Sequence, residues 1–160
     1  MSELVDIVDD HDHVIATVTR RQMRAEGLRH RTVYIVVRSS HGEVLIHRRS
    51  DDKDIWPGWW DLAAGGVVTA GEWYERAAER ELAEELGIAD AVMRSLGRAS
   101  YEDRDVKEQV AVFGVVHDGP FRFADGEIVE ACFVSVAELD RRLAVDRFVP
   151  DSVAVVRPLL

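Results

Sequence analysis

Apolar residues fall in short runs separated by turn-forming residues over most of this chain, which is typical of a β-sheet. The strongest run is TVYIVVR at 32–38, whose β-branched residues favour a strand. A turn at 39–42 and a second apolar run at 43–49 follow, so we predict a β-hairpin of these two strands. Another hairpin is predicted near the N-terminus, where the turn-rich residues 9–12 join two short runs. The remaining predicted strands cover 4–8, 13–19, 91–101, 107–117 and 127–136.

A helical period replaces the strand pattern between residues 69 and 87. Its apolar positions recur every four residues and would pack one side of the helix on a sheet. They are Ala78, Leu82 and Leu86. Thr69 and Glu72 have the spacing of a capping box, which predicts a helix start near 69–71, and Gly87 is suited to end the helix. Shorter helices are predicted over 20–26 and 137–144 and from Pro150 onwards.

The order of these elements predicts an α/β fold, with a mixed β-sheet between α-helices on both faces and an N-terminal β-hairpin. The chain has 160 residues, of which 47% are hydrophobic. That length suits one ordinary core, so we expect a single domain over residues 1–160.

Charge and cysteine content narrow the classes of function. The net charge of −10 argues against binding to a nucleic acid polymer, which requires clustered Lys and Arg. The single cysteine, Cys132, excludes an internal disulfide, and we interpret it as a buried small residue in a strand. No uninterrupted apolar run of membrane-spanning length and no leader-like start occur, so we expect a cytoplasmic protein with no membrane partner.

Positive charge and aromatic residues each cluster in one stretch, and each allows two interpretations. The arginines within 20–31 form either a solvated surface or an attractive region for substrate phosphate. The three tryptophans within 56–60 form either a packed aromatic corner or a wall against a flat or apolar substrate group. The sequence leaves both pairs of alternatives open.

Three carboxylates lie on one side of the predicted 69–87 helix. Glu81, Glu84 and Glu85 are spaced i, i+3 and i+4, and like charges at this spacing repel one another. Only Arg80 is placed at i−4 to pair with Glu84, so the group lacks positive charge. Hard carboxylate oxygens suit Mg²⁺ or Mn²⁺, which is one interpretation; a solvated acidic helix face is the other.

The surrounding segment matches the signature G-x5-E-x7-R-E-U-x-E-E-x-G-U, where U is a bulky aliphatic residue. A chance match has a probability on the order of 10⁻⁹ to 10⁻¹⁰ per starting point. The chain therefore resembles the Nudix hydrolase superfamily, with its Nudix box at 66–88. The matching residues are Gly66, Glu72, Arg80, Glu81, Leu82, Glu84, Glu85, Gly87 and Ile88.

This resemblance implies an enzyme that hydrolyses a nucleoside diphosphate derivative, or a related small organic diphosphate, with a divalent metal and water. The implied metal ligands are Glu81, Glu84, Glu85 and the carbonyl of Gly66. Arg80 and Glu72 would form an internal pair that steadies the loop against the helix, and Gly87 would end that helix. The catalytic candidates implied are Glu81, Glu127 and Arg80. The general base is either Glu81 or a carboxylate before the last strand, which is Glu127 or its neighbour Glu130, and the choice stays open.

A narrower resemblance, over residues 4–139, is to the isopentenyl-diphosphate isomerase branch of the superfamily. In that branch the positions of Arg49 and Lys53 hold the diphosphate, and those of His30 and Glu108 lie at the isomerase's metal site. The candidate substrate-binding residues are therefore Arg49, Lys53, Trp56 and His30.

Two departures separate the chain from true isomerases. Ala64 stands where isomerases have a catalytic cysteine, and Gly66 stands where they have a metal-binding histidine. Because alanine cannot transfer a proton, the isomerase reaction would lack an acid–base partner. We therefore expect hydrolase chemistry on an isomerase-like scaffold.

The leading hypothesis is a Mg²⁺-dependent pyrophosphohydrolase whose partner is a small-molecule diphosphate, with Mn²⁺ as an alternative ion. The alternatives are an isopentenyl-diphosphate isomerase and a non-catalytic, nucleotide-sensing Nudix domain. The sequence does not identify the diphosphate and leaves a homodimer open.

Overall fold

The computed structural model describes residues 3–160, and a nine-stranded sheet forms the centre of this range. The elements, in chain order, are β1 (Leu4–Val8), β2 (Val14–Thr19), α1 (Arg20–Glu26), β3 (His30–Arg38), β4 (Val44–Arg49), β5 (Trp60–Asp61), β6 (Ala64–Val67), α2 (Tyr74–Leu86), β7 (Arg94–Glu102), β8 (Lys107–Val116), β9 (Ile128–Val134), α3 (Val136–Val145) and α4 (Pro150–Val156), followed by a 3₁₀ turn at Arg157–Leu159.

Strand β3 is the central strand, and eight of its nine residues are buried. It runs parallel to β8 from the pair His30 and Glu108 to the pair Arg38 and Val116, and antiparallel to β6. Its side chains alternate between two cores, as expected for a strand covered on both faces. The confirmed architecture is a mixed sheet between helices.

Each face of β3 packs against a different set of helices. Val33 and Ile35 share one core with the apolar stripe of α2. Tyr34 and Val36 share the other core with residues of α3 and α4, among them Leu139. Helix α2 therefore lies on one face of the sheet, and α3 and α4 lie on the opposite face.

The N-terminal hairpin is confirmed. β1 and β2 pair antiparallel from Leu4 and Thr19 to Val8 and Val14. Thr19 then begins α1, because its side chain accepts a hydrogen bond from the backbone N–H of Gln22 at 3.1 Å.

The predicted hairpin of β3 and β4 is wrong beyond its turn. The turn closes through the N–H of Ser39, which donates to the carbonyl of Glu43 at 2.9 Å, and only Arg38 and Val44 are paired across it. β8 and β6 pair with β3 along its length, so β4 turns away and pairs with β9 and β5. An apolar run shows that a strand is buried, but it does not identify the partner.

Helix α2 begins later than predicted, at Tyr74 rather than near 69–71. Gly71 has φ +81°, outside the right-handed helical region. The Glu72 carboxylate does reach back to the N–H of Thr69 at 3.2 Å, but this contact closes a loop before the helix. At the other end Gly87 stops the helix in the left-handed region, with φ +68°.

Cys132 lies in β9 as expected, but it is exposed rather than buried. In the described chain β9 pairs with β4 on one side. Because β9 lies at the border of the sheet, its residues are less covered than those of β3. No helix in residues 3–160 is long and apolar enough to cross a membrane.

Candidate active site

The three glutamates of α2 lie on one side of the helix but in different surroundings. Glu81 and Glu85 are buried, with 7% and 4% of their surface exposed. Glu84 lies farther out, with half of its side chain exposed. The helix thus presents two carboxyls to the interior and one to its rim.

Arg80 connects these carboxylates to the loop before the helix. Its Nε and Nη2 donate to the two oxygens of Glu72, each at 2.9 Å. Its Nη1 donates to Glu81 at 2.9 Å and to Glu84 at 3.2 Å. The contact with Glu81 is one that helical spacing did not predict, because adjacent residues on a helix do not usually face each other.

Gly66 allows Glu81 to lie against strand β6. A Cβ atom added to Gly66 would lie 2.6 Å from Oε1 of Glu81. Only glycine leaves room for the carboxylate at this position. The backbone of β6 and the carboxyl of Glu81 are therefore immediate neighbours.

Burial makes the charged forms of the two inner carboxyls costly. It raises the pKa of Glu81 to about 7, although the charge of Arg80 opposes this rise. Burial, and then the charge of Glu81, raise the pKa of Glu85 well above its ordinary value. The charge of Glu127 acts in the same direction on both groups, so this cluster has more negative charge than its neighbours neutralise.

The two carboxylates proposed as alternative bases differ in their surroundings. Glu127 accepts a hydrogen bond from Lys53 Nζ at 2.9 Å, and 41% of its side chain is exposed. Glu130 is 55% exposed and pairs with Arg48 at 3.4 Å. The charge of Glu127 is among the main causes that raise the pKa values of Glu81 and Glu85, so Glu127 lies near the inner carboxyls.

A narrow cleft borders the other side of β6, with about 50 Å³ of free space. Three of the four predicted substrate-binding residues line it: Arg49, Lys53 and Trp56. Backbone carbonyls orient the guanidinium of Arg49, which donates to Ile55 at 2.9 Å and to Trp56 at 3.3 Å. Gly65, Gly66 and Val67 also line the cleft, so the backbone of β6 joins it to the carboxylates of α2.

His30, the fourth predicted substrate-binding residue, does not line the cleft. It is 1% exposed, and its Nδ1 lies 2.9 Å from the carbonyl of Leu28. Burial lowers its pKa to about 4. His30 is therefore a neutral side chain behind the cleft wall.

The tryptophans within 56–60 and the arginines within 20–31 each divide between the cleft and other surroundings. Trp56 lines the cleft, whereas Trp60 packs on Phe148 with 6.4 Å between ring centroids. Arg20 and Arg24 also line the cleft and both pair with Asp54.

Sequence reasoning missed the acidic end of this cleft. Three buried carboxyls, from β5, β8 and α4, border it together with two side-chain hydroxyls of β3. Isolated acidic residues at element ends carry no signal in the sequence, since their proximity depends on the tertiary fold. These residues are Asp61, Glu108, Asp151, Thr32 and Tyr34.

The chemistry of the α2 cluster fits a divalent cation, although the side chains are not converged around one point. Across residues 3–160 no group of three His, Cys, Asp or Glu side chains forms a ready metal site. Arg80 Nη1 donates to both Glu81 and Glu84 and so neutralises part of their negative charge. Three features suit Mg²⁺ or Mn²⁺: the carboxyl oxygens, the repulsion between the buried carboxyls of Glu81 and Glu85, and the backbone of Gly66, which carries no side chain.

Comparison with known proteins decides the family. A family model described as the NUDIX domain matches residues 28–155. The chain belongs to the Nudix family. Members of this family act on small molecules and generally use a divalent metal. The predicted enzyme class, hydrolysis of phosphorus-containing anhydrides, is confirmed at the level of the family.

Individual relatives of this Nudix protein match nearly its whole length. The Nudix hydrolase YfcD of Escherichia coli is 43% identical over 151 residues, which cover 94% of this chain and 83% of that protein. The Nudix hydrolase SCO1686 of Streptomyces coelicolor is 39% identical over 154 residues, covering 95% and 85%. The crystal structure of DR0079 from Deinococcus radiodurans superposes with a TM-score of 0.83 at 29% identity, covering 98% and 99%. The Nudix fold predicted from the sequence is thereby confirmed.

Acid should destabilise this Nudix protein partly through His47. Burial, with the charges of Arg49 and Lys53, lowers the pKa of His47 to about 3. The unfolded chain gains a proton at this histidine below about pH 6.5, whereas the folded chain does not. The stability that neutral His47 contributes is therefore present above about pH 6.5 and is lost as the pH falls from there towards about 3.

We expect the free energy of unfolding of a His47→Gln variant to fall less steeply with decreasing pH than that of the wild type. Urea unfolding at a series of pH values between about 7 and 4 measures the slope. The exposed His41 provides the control, because His41→Gln should keep the wild-type slope. Equal slopes for His47→Gln and wild type would contradict the prediction.

Proposed function

We propose that this chain is a Mg²⁺-dependent hydrolase that cleaves the diphosphate linkage of a nucleoside diphosphate derivative or a related small organic diphosphate, by water attack at phosphorus. The observation that carries the proposal is the pair of buried carboxyls, Glu81 and Glu85, beside the glycine backbone of β6. Two buried like charges without enough cations nearby are costly unless a cation binds. A diphosphate cleft adjoins them across that backbone.

In this proposal Glu81, Glu84, Glu85 and the carbonyl of Gly66 hold the ion. A bound divalent ion would neutralise the negative charge of the diphosphate oxygens and would make the attacking water more acidic. Arg80 steadies the set, because its contacts with Glu72 fix the guanidinium while Nη1 holds two of the glutamates.

The proton of the attacking water passes to a carboxylate of the chain, and two remain candidates. Glu127 is partly exposed and is held by Lys53 at 2.9 Å, which favours it as a base that reaches solvent and substrate. Glu81 is buried and accepts from Arg80 at 2.9 Å, which suits a ligand more than a base. The proposal therefore assigns the general base to Glu127, with Glu81 as the alternative.

The diphosphate binds at the mouth of the cleft, near Arg49 and Lys53. The Arg49 guanidinium is preorganised by two backbone carbonyls, so little side-chain freedom is lost when an anion binds. Trp56 borders the same space and contacts the organic part of the substrate. His30 supports the wall from behind.

The isomerase alternative is disfavoured by position 64. Ala64 lies buried in β6, 3% exposed, where a proton-transferring side chain would be needed. That the chain shares the scaffold of the isomerase branch stays a hypothesis. The single domain over 1–160, the cytoplasmic location and the homodimer stay predictions.

The test is phosphate-release turnover on a panel of nucleoside diphosphates, triphosphates and diphosphate conjugates, with Mg²⁺, with Mn²⁺ and with EDTA. We expect turnover that requires the metal and is lost in the double variant Glu84→Gln/Glu85→Gln. Turnover that survives in this variant would refute the proposal. Tight nucleotide binding without metal-dependent product release would instead support a sensing domain.

A further inference from the structure

Three buried carboxyls line part of the cleft, and one of them, Asp61, lies 3.9 Å from Nη1 of Arg49. Asp61, Glu108 and Asp151 come from three different elements, and each is at most 4% exposed. Thr32 and Tyr34, on neighbouring positions of one face of β3, border the same space. Buried carboxyls in such number are unusual unless each oxygen has a donor.

Glu108 has a donor for only one of its two oxygens. Its Oε2 accepts from the hydroxyl of Thr32 at 2.5 Å, whereas Oε1 has no hydrogen-bond partner among the described residues. Asp151 faces this carboxyl, and after burial its charge is the main cause that raises the pKa of Glu108. Asp151 lies within hydrogen-bond reach of Glu108, but a second carboxylate can donate to Oε1 only if the two side chains share a proton.

The neighbouring histidine adds a second acceptor without a donor. His30 Nδ1 lies against the carbonyl of Leu28 and must carry the ring proton there, so Nε2 bears a lone pair. Within residues 3–160, this Nε2 also has no hydrogen-bond partner, and it lies 3.9 Å from Oε2 of Glu108. Both orphaned atoms therefore require a hydrogen-bond donor rather than another acceptor.

The size of the space limits what can supply that donor. The whole cleft has about 50 Å³ of free space, which corresponds to a few water-sized groups because one water needs roughly 10–15 Å³ on this measure, so the part beside Glu108 is smaller still. A purine or pyrimidine ring does not fit there, whereas a short polar arm does. Arg49 and Lys53 border the same cleft, so a diphosphate held by them can extend such an arm towards Glu108.

We infer that the Glu108–Asp151 end of the cleft is a subsite for a small hydroxyl or amine group on the organic part of the diphosphate substrate. The inference rests on the proposed function of the same cleft and narrows its substrate class. The donor pairs with Oε1 of Glu108, and the acidic lining disfavours a hydrocarbon chain, which would leave that oxygen unpaired. Isoprenoid diphosphates therefore do not match this subsite.

The test compares three ligands that differ only at one terminal group. They are the butyl, 4-hydroxybutyl and 4-aminobutyl monoesters of methylenediphosphonate, whose P–C–P bridge is not hydrolysed. Calorimetric titration in Mg²⁺ gives the dissociation constants. We expect one or both polar ligands to bind the wild type about tenfold more tightly than the butyl ligand.

Glu108→Gln should remove this preference without weakening the butyl ligand. The glutamine amide can donate a hydrogen bond to Asp151. The variant therefore no longer needs the donor that the ligand supplies in the wild type. Glu102→Gln, an exposed position on the adjacent strand β7, is the matched control and should keep the preference. If Glu108→Gln does not fold, Asp151→Asn and the wild-type ranking still test the subsite.

Equal affinity of the three ligands for the wild type would overturn the inference and would indicate that Glu108 and Asp151 share a proton. A lack of binding by all three would also overturn it, because the diphosphonate would then not be held by Arg49 and Lys53. A preference that survives in Glu108→Gln would overturn it as well. The proposed function is tested separately, because its failure appears as the absence of metal-dependent turnover and does not change the ranking of ligands that are not hydrolysed.

Discussion

Replacing Glu85 with glutamine is expected to lower metal-dependent hydrolysis by roughly 10²–10⁴-fold, since a ligand of the catalytic ion supports several kcal/mol of transition-state stabilisation. The same change should leave the metal-free protein at least as stable as the wild type. Glu85 is 4% exposed and is repelled by Glu81, so an uncharged side chain of the same shape removes an unfavourable interaction. Function and stability thus change in opposite directions at one residue.

The measurements are turnover in Mg²⁺ and the melting temperature with Mg²⁺ and with EDTA. In the wild type, Mg²⁺ should raise the melting temperature by binding the folded state, and Glu85→Gln should lose most of this rise. Glu79→Gln is the control, because Glu79 lies on the same helix with 60% of its side chain exposed. Unchanged turnover in Glu85→Gln, or a clear loss of stability in EDTA, would contradict this assignment.

Alanine substitutions at the adjacent glycines 65 and 66 are expected to have opposite kinds of effect. At Gly65, φ is +149° and a Cβ would lie 1.9 Å from the carbonyl oxygen of Val33, which is fixed in the central sheet. Gly65→Ala should therefore cost about 3–5 kcal/mol of unfolding free energy, from backbone strain and overpacking together. At Gly66 the nearest atoms belong to the movable carboxyl of Glu81, so Gly66→Ala should fold.

Gly66→Ala should instead lose hydrolysis by roughly a hundredfold, because displacement of a catalytic group by about 1 Å has an effect of this size. Thermal unfolding and turnover of the two variants, measured side by side, provide the comparison, and each variant is the control for the other. A Gly66→Ala protein with wild-type turnover would show that the position of Glu81 against β6 is not needed for catalysis.

The sequence predicted the elements of this fold better than their partners. The apolar runs of β3 and β8 and the four-residue period of α2 are local properties, and a signature of nine positions reinforced the last of these. The parallel pairing of β3 with β8 follows instead from competition among all strands for the two edges of β3. The predicted start of α2 was wrong for a related reason, because the contact between Thr69 and Glu72 fits a loop as well as a helix end.

The candidate site was likewise predicted from the sequence only in part. Glu81, Glu84 and Glu85 follow one another on one helix, so their proximity was readable from spacing alone. Their unequal burial was not readable, because it depends on the approach of Gly66 from β6. The acidic end of the cleft was missed entirely, since Glu108 and Asp151 meet only after α4 has packed beneath the sheet.

The pairing of β3 with β8 also affects how the chain folds during synthesis. His30 leaves the ribosome roughly 78 residues before its partner Glu108, which is roughly 4–16 s at ordinary rates of translation. Throughout that interval β3, a strand that is almost entirely buried in the folded protein, lacks the neighbour that pairs with it along its whole length. Sheets whose central contacts are so distant in sequence form slowly, and their unpaired strands are prone to aggregate. Yield in a heterologous host should therefore improve at low temperature or with added chaperones more than it does for helical proteins of the same length.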